Sequence, residues 1–384
     1  MSNLFLCPQK IITGSDALEN SGSYLMEFGE KALIVTDSIM VEIGNVQKLT
    51  DVLIKNGIQF HLFAEINSEP TDVMVYRGLE VFRRANCDFI IAIGGGSPID
   101  AMKAIGALVT NQGALTEYIG KELKNPPPNL VAIPTTSGTG SEATQFTIIS
   151  DTVNKVKMLL KGSALIPSLA IIDAELTMSV PANVTAATGI DALTHAIEAY
   201  TSKKAQSLSD SFAISACRRI FANLRKVYCD GKDFSARQQM SLASLEAGIA
   251  FNNSSVTIVH GMSRPIGALF HIPHGASNAV LMGECLNFAA KGAPERFAEL
   301  AKAVGFCKDG MSDCEAAEEL VNQVVLLCAD INIPSLQDFG VNEKEYFASI
   351  DKMVCDALES GSPGNTMRKV SASDIAQIYK NIWK

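Results

Sequence analysis

One short stretch limits the fold more than any other. Phe89–Ile93 is five uninterrupted apolar residues, and it runs straight into Gly94-Gly95-Gly96-Ser97-Pro98-Ile99-Asp100. A strand that is apolar on both sides belongs inside a sheet covered on both faces. The three glycines then permit a sharp turn and let a backbone approach a ligand closely. Ser97 suits an N-cap, Pro98 the first helical position and Asp100 the acid of a capping box, so a helix is expected over Ala101–Val109. Such a turn presents free N–H groups to an anion, a common device for a pyrophosphate. The segment matches neither the GxGxxG fingerprint nor the P-loop, and a plain tight turn has the same appearance.

Alternation of the same kind fills the first half. Ala32–Val35, Gln59–Phe63, Leu130–Ile133 and Leu169–Ile172 read as strands, while Val41–Lys55 and Val73–Arg83 carry helical periodicity. Strands alternating with helices point to right-handed βαβ units and a mostly parallel sheet, a Rossmann-like α/β domain. Thr147–Ile149 and Lys155–Leu160, parted by polar Asp151–Asn154, read as a hairpin. After Leu130–Ile133 comes Pro134–Glu142, with Thr135, Thr136, Ser137, Thr139 and Ser141 supplying hydroxyls around Gly138 and Gly140. Two such loops at the C-terminal ends of parallel strands favour a shared dinucleotide crevice, although a loop of this composition also serves to cap a helix. Asp37 ends the strand segment Ala32–Asp37. An acid there can accept from an adenosine ribose and repel a 2′-phosphate, or be a simple turn residue.

From Pro181 onward strand signals stop. Helix-period runs at Ala186–Tyr200, Ser209–Leu224, Ala236–Ile249, Pro294–Val304, Cys314–Leu327 and Val341–Ala357 indicate an all-helical domain, dividing the chain into 1–180 and 181–384. A length of 384 residues agrees with two domains. The net charge of -9, without any Lys/Arg run, argues against nucleic acid and anionic membrane surfaces as partners. Nine scattered cysteines without a CxxC read as reduced thiols, and no apolar run is long enough to span a bilayer. A soluble, cytoplasmic protein is the expectation.

Histidine is scarce and clustered: three of the five lie within Val259–Gly275 as His260, His271 and His274. On a helix over Gly189–Thr201, Asp191, His195 and Glu198 share one stripe, with Leu193, Ala196, Ile197 and Tyr200 opposite. That stripe alone describes an ordinary polar face. With His260 and His274 it becomes a candidate set of one carboxylate and three imidazoles, which suits Fe²⁺ or Zn²⁺ better than Mg²⁺ or Ca²⁺. The separation of His260 and His274 suits a helix end plus a turn. Glu198 is a candidate partner for the second nitrogen of a ligand imidazole.

Taken together, GGGSPID, PTTSGTGSE, ATGIDALTHAIEAY and the HG…PHG pair resemble the iron-containing (group III) alcohol dehydrogenases, a family that includes lactaldehyde reductase and propanediol dehydrogenase. The resemblance runs from Thr13 to Trp383. It implies a dehydroquinate synthase-like architecture, with a dinucleotide-binding domain, a helical domain and a metal in the cleft between them. It also implies metal ligation by Asp191, His195, His260 and His274, and NAD held by Gly94, Gly95, Gly96, Ser97, Asp100, Thr135, Thr136 and Thr139. Asp37 matches the acid that favours NAD over NADP, while Lys157 and Leu176 fall at positions lining the cofactor. A homodimer or higher homo-oligomer is implied as well.

Three departures from the family pattern matter. Glu69-Pro70-Thr71 replaces Asn-Pro-Thr, Phe146 replaces a polar residue and with Phe251 would make the substrate wall apolar, and Arg264 stands where many members carry a histidine. In the expected chemistry the metal acts as a Lewis acid on an alcohol or carbonyl oxygen while the nicotinamide exchanges hydride. Arg264 cannot relay a proton, because guanidinium does not deprotonate in proteins. His271, a ribose hydroxyl or a water chain would take that task, and His271 is equally readable as a structural residue. Arg264 could instead hold a carboxylate, sulfonate or phosphonate tail on a short-chain substrate, or pair with a carboxylate of the protein. Readings from other classes are a dehydroquinate synthase-like lyase that uses NAD transiently, and zinc-dependent glycerol dehydrogenase-like polyol oxidation.

Overall fold

The structure is a computed structural model and describes residues 2–383. The chain divides into two compact units: Leu6–Val180, and everything from Pro181 onward together with the N-terminal residues up to Phe5. No helix among the described residues is long and apolar enough to cross a membrane.

The first unit holds eight strands: β1 Lys10–Thr13, β2 Lys31–Val35, β3 Gln59–Phe63, β4 Phe89–Gly94, β5 Leu130–Pro134, β6 Phe146–Asp151, β7 Val156–Lys161 and β8 Leu169–Ile172. Its α-helices are α1 Gly22–Met26, α2 Ser38–Glu42, α3 Asn45–Lys55, α4 Asp72–Ala85 and α5 Gly96–Thr110. Six strands form one parallel sheet in the order β1-β8-β5-β4-β2-β3, and β6 and β7 form a separate antiparallel hairpin. The apolar runs are explained by burial on both faces. Leu33, Val35, Ile90 and Ala92 point into a core shared with α4, α5 and the hairpin, whereas Ala32, Ile34, Phe89, Ile91 and Ile93 point into one shared with α1 and α3. The chain steps outward from β2 to β3 and then crosses back to β4 on the other side of β2. That reversal puts the ends of β2 and β4 at a topological switch point, where ligands of such sheets bind.

The second unit holds α6 Ala182–Tyr200, α7 Ser207–Cys229, α8 Phe234–Ser254, α9 Ile258–Phe270, α10 His274–Ala290, α11 Pro294–Val304, α12 Asp313–Asp330, α13 Glu343–Glu359 and α14 Ala372–Asn381. α6 is its axis and is buried on every side from Gly189 to Tyr200. Glycines let its neighbours come close. A Cβ on Gly189 would lie 2.4 Å from Leu224 Cδ1 of α7, and one on Gly275 would lie 2.3 Å from the Ala187 carbonyl oxygen. The second approach sets the start of α10 against the middle of α6.

Several expectations need correction. Val41–Lys55 is two helices, broken where Gly44 adopts a φ of 84°. Ser97 is not an N-cap, because α5 already starts at Gly96 with Gly95 in the cap position. Asp100 forms no capping box: its carboxylate accepts from Ser141 Oγ at 2.6 Å and from the Ile148 amide at 3.0 Å. Tertiary partners therefore outcompete the local helix end. Four helices escaped the periodicity reading, namely α1, α9, α10 and α14. In α10 the reason is visible, since burial around most of its surface leaves no broad polar stripe.

Candidate functional site

In the first unit the two glycine-rich loops lie side by side. Gly94 pairs with Pro134 at the ends of β4 and β5, and the Thr135 amide donates to the Gly94 carbonyl at 2.9 Å. The glycines are needed for this approach. Gly94 has a φ of 151°, and a Cβ there would meet Pro98 at 2.7 Å; one on Gly96 would meet Thr139 Cγ2 at 2.9 Å. Thr136 borders Gly95, and Thr135 Oγ1 is buried without a hydrogen-bond partner. Glycine-opened backbone beside an orphaned hydroxyl fits a ligand that brings its own polar groups. Ser97 sits in the first turn of α5. Asp37 caps α2 by accepting from the Met40 amide at 3.0 Å, with its other oxygen beside Gly94 at the switch point.

Behind this surface Lys103 is fully buried and donates to Ser141, Thr144 and the Phe146 carbonyl, tying α5 to the hydroxyl loop. Burial pulls its ammonium down to about 8, partly countered by Asp100 and Glu142. Glu142 is also buried, with neither oxygen hydrogen-bonded, and burial pushes its carboxyl up to about 7. The other expected cofactor residues do not point one way. Lys157 forms an exposed ion pair with Glu69 at 2.9 Å, and the Leu176 side chain is packed into the core. Phe146 opens β6, with Lys161 Nζ 5.5 Å above its ring.

In the second unit the scarce histidines converge on α6. Asp191 Oδ1 lies 3.6 Å from His260 Nε2, 3.6 Å from His274 Nε2 and 3.9 Å from His195 Nδ1. Among the described residues, ligand atoms of Asp191, His195 and His260 all fall within 4.8 Å of one another, and all three residues are buried. His274 approaches Asp191 from the open side, with its side chain 46% exposed. Ligands about 2.1 Å from a tetrahedral ion stand about 3.4 Å apart, so the spacings suit one ion. His195 Nδ1 is buried with no hydrogen-bond partner, as an unshared ligand nitrogen would be.

Charge agrees with that fit. Burial opposes ionisation of Asp191, yet the surrounding imidazoles hold its carboxyl well below the usual range. His195 is pulled down to about 3, burial outweighing the pull of Asp191, so its ring is neutral at physiological pH. Glu198, fully buried one stripe along α6, accepts from Thr257 Oγ1 at 2.7 Å, the Val259 amide at 2.6 Å and His260 Nδ1 at 2.6 Å. Burial raises its carboxyl, but His260 and these hydrogen bonds outweigh it and hold it ionised. His260 Nδ1 is thereby engaged by Glu198, and its Nε2 faces Asp191. Burial opposes a charge on His260, yet Glu198 and Asp191 outweigh it and hold the imidazole above its usual range, so two buried carboxylates call for positive charge here, which a dication would supply.

His260 lies in the first turn of α9 and His274 opens α10, joined by His271–Pro273. The expectation of a helix end plus a turn thus becomes two successive helix starts. His271 ends α9 with a φ of 55° and is exposed, outside the buried trio. Phe251 stacks on His195, ring centroids 4.2 Å apart, and His195 stacks on His260 at 4.4 Å. Arg264 follows His260 by one turn and is partly buried. One participant was missed in the sequence. Asn278 is fully buried, with Nδ2 2.7 Å from Asp191 Oδ1, 3.2 Å from His260 Nε2 and 3.4 Å from His274 Nε2. Its signal was present as a polar residue four positions after His274, on the same face of α10.

Two family models match nearly the whole chain: "Iron-containing alcohol dehydrogenase" over residues 8–174, and "Fe-containing alcohol dehydrogenase family, C-terminal" over 185–383. The chain belongs to the iron-containing alcohol dehydrogenase family. It is 40% identical over 381 residues to the 1,3-propanediol dehydrogenase of Citrobacter freundii, covering 98% of this chain and 97% of that one. A crystal structure of a 1,3-propanediol oxidoreductase superposes with a TM-score of 0.96 at 38% identity, covering 100% of both chains. A sulfoacetaldehyde reductase from Bifidobacterium kashiwanohense, solved in complex with NAD+, superposes with a TM-score of 0.89 at 26% identity, covering 100% of this chain and 99% of that one. This family member is accordingly an oxidoreductase of the alcohol dehydrogenase type, using NAD and a divalent metal on a small alcohol or aldehyde.

Proposed function

We propose that Asp191, His195, His260 and His274 together hold one Fe²⁺ ion, and that Gly94–Ser97 with Thr135, Thr136 and Thr139 hold NAD(H) for interconversion of a short-chain alcohol and aldehyde. The observation that carries this reading is the position of Asp191 Oδ1, 3.6–3.9 Å from three imidazole nitrogens on a buried stretch of helix. When bound, the ion polarises the substrate oxygen and the nicotinamide exchanges hydride with the carbon. The remaining work belongs to the chain. Glu198 fixes the tautomer and ring plane of His260, Phe251 covers one face of His195 against water, and ionised Asp191 supplies the negative charge. The half-exposed His274 marks the side from which a small substrate reaches the cluster.

Asp37 at the switch point supports NAD over NADP, because a carboxylate there repels a 2′-phosphate. The names of the relatives span an uncharged diol and an aldehyde with a sulfonate tail, so both kinds of substrate are candidates here. We further propose a cytoplasmic homodimer, supported by the open edges of the six-stranded sheet at β1 and β3. Metal analysis of anaerobically purified protein tests the centre. One ion per chain is expected, lost in His260→Ala, with NADH oxidised by an aldehyde in preference to NADPH. A His260→Ala protein that keeps its full metal content would sink the assignment.

A further inference from the structure

Arg264 is a cation that no hydrogen bond or ion pair anchors among the described residues. Among the described residues no carboxylate, carbonyl or hydroxyl hydrogen-bonds it and no ring stacks under it. The chain carries 41 Asp and Glu residues, so the lack of a mate is not for want of acids. The carboxylate whose field reaches it is Glu198, and that group already accepts from Thr257, Val259 and His260. Burial has meanwhile stripped water from the guanidinium enough to lower its proton affinity. A partly desolvated charge left unpaired is unfavourable unless something supplies the counter-charge. On the same helix, one turn back, His260 faces Asp191 and the ligand cluster.

We propose that Arg264 is a substrate-binding residue, and that the substrate is a short aldehyde, or the matching alcohol, bearing a terminal oxyanion group. A guanidinium offers parallel N–H donors to two oxygens of a carboxylate, sulfonate or phosphonate. One helical turn is about 6 Å, so the anionic group stands roughly two to four bonds from the carbonyl carbon. A longer chain would overshoot the arginine, and an uncharged one would leave it unpaired. This inference rests on the alcohol–aldehyde reading above.

Paired substrates test it. In the metal-loaded enzyme with NADH, kcat/KM is measured for 2-oxoethanesulfonate, 2-oxoethylphosphonate and 4-oxobutanoate against propanal and butanal, in wild type, Arg264→Ala and Arg264→Gln. Losing a charge-assisted pair should cut the anionic aldehydes by roughly 30- to 100-fold and the neutral ones by less than about threefold. Comparison among the three anions tells which oxyanion the arginine holds. Thermal shift by 2-hydroxyethanesulfonate and 3-hydroxypropane-1-sulfonate gives a reading without turnover: stabilisation in wild type, absent in Arg264→Gln. Equal losses for both classes, or a thermal shift that survives Arg264→Gln, overturn the proposal while leaving the dehydrogenase reading intact. Should wild type reduce no aldehyde at all, the dehydrogenase reading fails, and the thermal shift still decides whether Arg264 binds an oxyanion. Arg264→Gln keeps a polar but shorter side chain while removing the charge and the two-pronged donor set, so it serves if Arg264→Ala does not fold.

Discussion

Replacing Glu198 tests how the centre is held. Its carboxylate is fully buried and takes three short bonds, from Thr257 Oγ1, the Val259 amide and His260 Nδ1. Each charge-assisted bond contributes about 1.5–3 kcal/mol, and truncation leaves the three donors facing a void. For Glu198→Ala the expected destabilisation is about 3–5 kcal/mol, a fall in Tm of roughly 6–15 °C. The effect on the metal is separable. Without an acceptor at Nδ1, His260 is free to settle with its proton on Nε2, which removes the lone pair a metal ion would use there. Loss of such a supporting partner weakens a site by roughly 10- to 100-fold. Glu198→Gln keeps the volume and one oxygen, so it should retain most of the Tm yet still lose affinity, because its NH₂ competes with the donors around it. Anaerobic titration against a chromophoric chelator, run beside thermal unfolding, measures both quantities. Affinity within threefold of wild type in both variants would refute the role given to Glu198.

Two further predictions concern packing and pH. Gly275→Ala forces a methyl group 2.3 Å from the Ala187 carbonyl oxygen, a backbone atom that cannot rotate away, and 3.4 Å from Asp191 Cβ. α10 must then back off from α6 at about 1–3 kcal/mol or more, and thermal unfolding with metal analysis should show both a lower Tm and a looser ion. An unchanged Tm and metal content would contradict the close approach. Glu142 binds a proton in the folded chain up to about 7, well above an ordinary carboxyl, because burial disfavours its anion. Through that window the folded state holds more protons than the unfolded one, so stability falls as pH rises from about 5 to 7 and then levels. Glu142→Gln should therefore gain on wild type between pH 5 and 8 by up to roughly 3 kcal/mol, less whatever Lys103 offsets. A constant gap in Tm across that range would show that Glu142 does not titrate there.

The first unit was legible because a parallel sheet writes its strands as apolar runs. Phe89–Ile93 and Leu130–Ile133 had no alternation to misread, and the structure buries every one of those residues. Legibility failed where a tertiary partner overruled a local signal. Asp100 stands where a capping box wants an acid, yet Ser141 and Ile148 take its oxygens, an arrangement that depends on the hydroxyl loop folding back from more than forty positions away. Helix α10 was hidden for the opposite reason. Amphipathicity reports a helix only when one face meets water, and α10 meets little of it.

The candidate metal centre follows the same logic at smaller scale. Asp191, His195 and Glu198 were readable as one stripe because they share a helix, and helical geometry places them without help from the fold. His260 and His274 were readable only as scarce residues gathered in one segment. What joins them to α6 is the missing side chain of Gly275, which no pattern of polar residues announces. Asn278 was overlooked because asparagine is common on helix faces and carries no charge. Its Nδ2 nonetheless lies nearer to Asp191 Oδ1 than any imidazole does, and its own Oδ1 has no partner. A buried amide with one end engaged by Asp191 and the other unsatisfied belongs to the candidate centre as much as the histidines do, since turning it over exchanges a donor for an acceptor at the same spot. The chemistry at Asp191 is thus governed by α10 twice, through a glycine that lets the helix in and an asparagine that the helix brings with it.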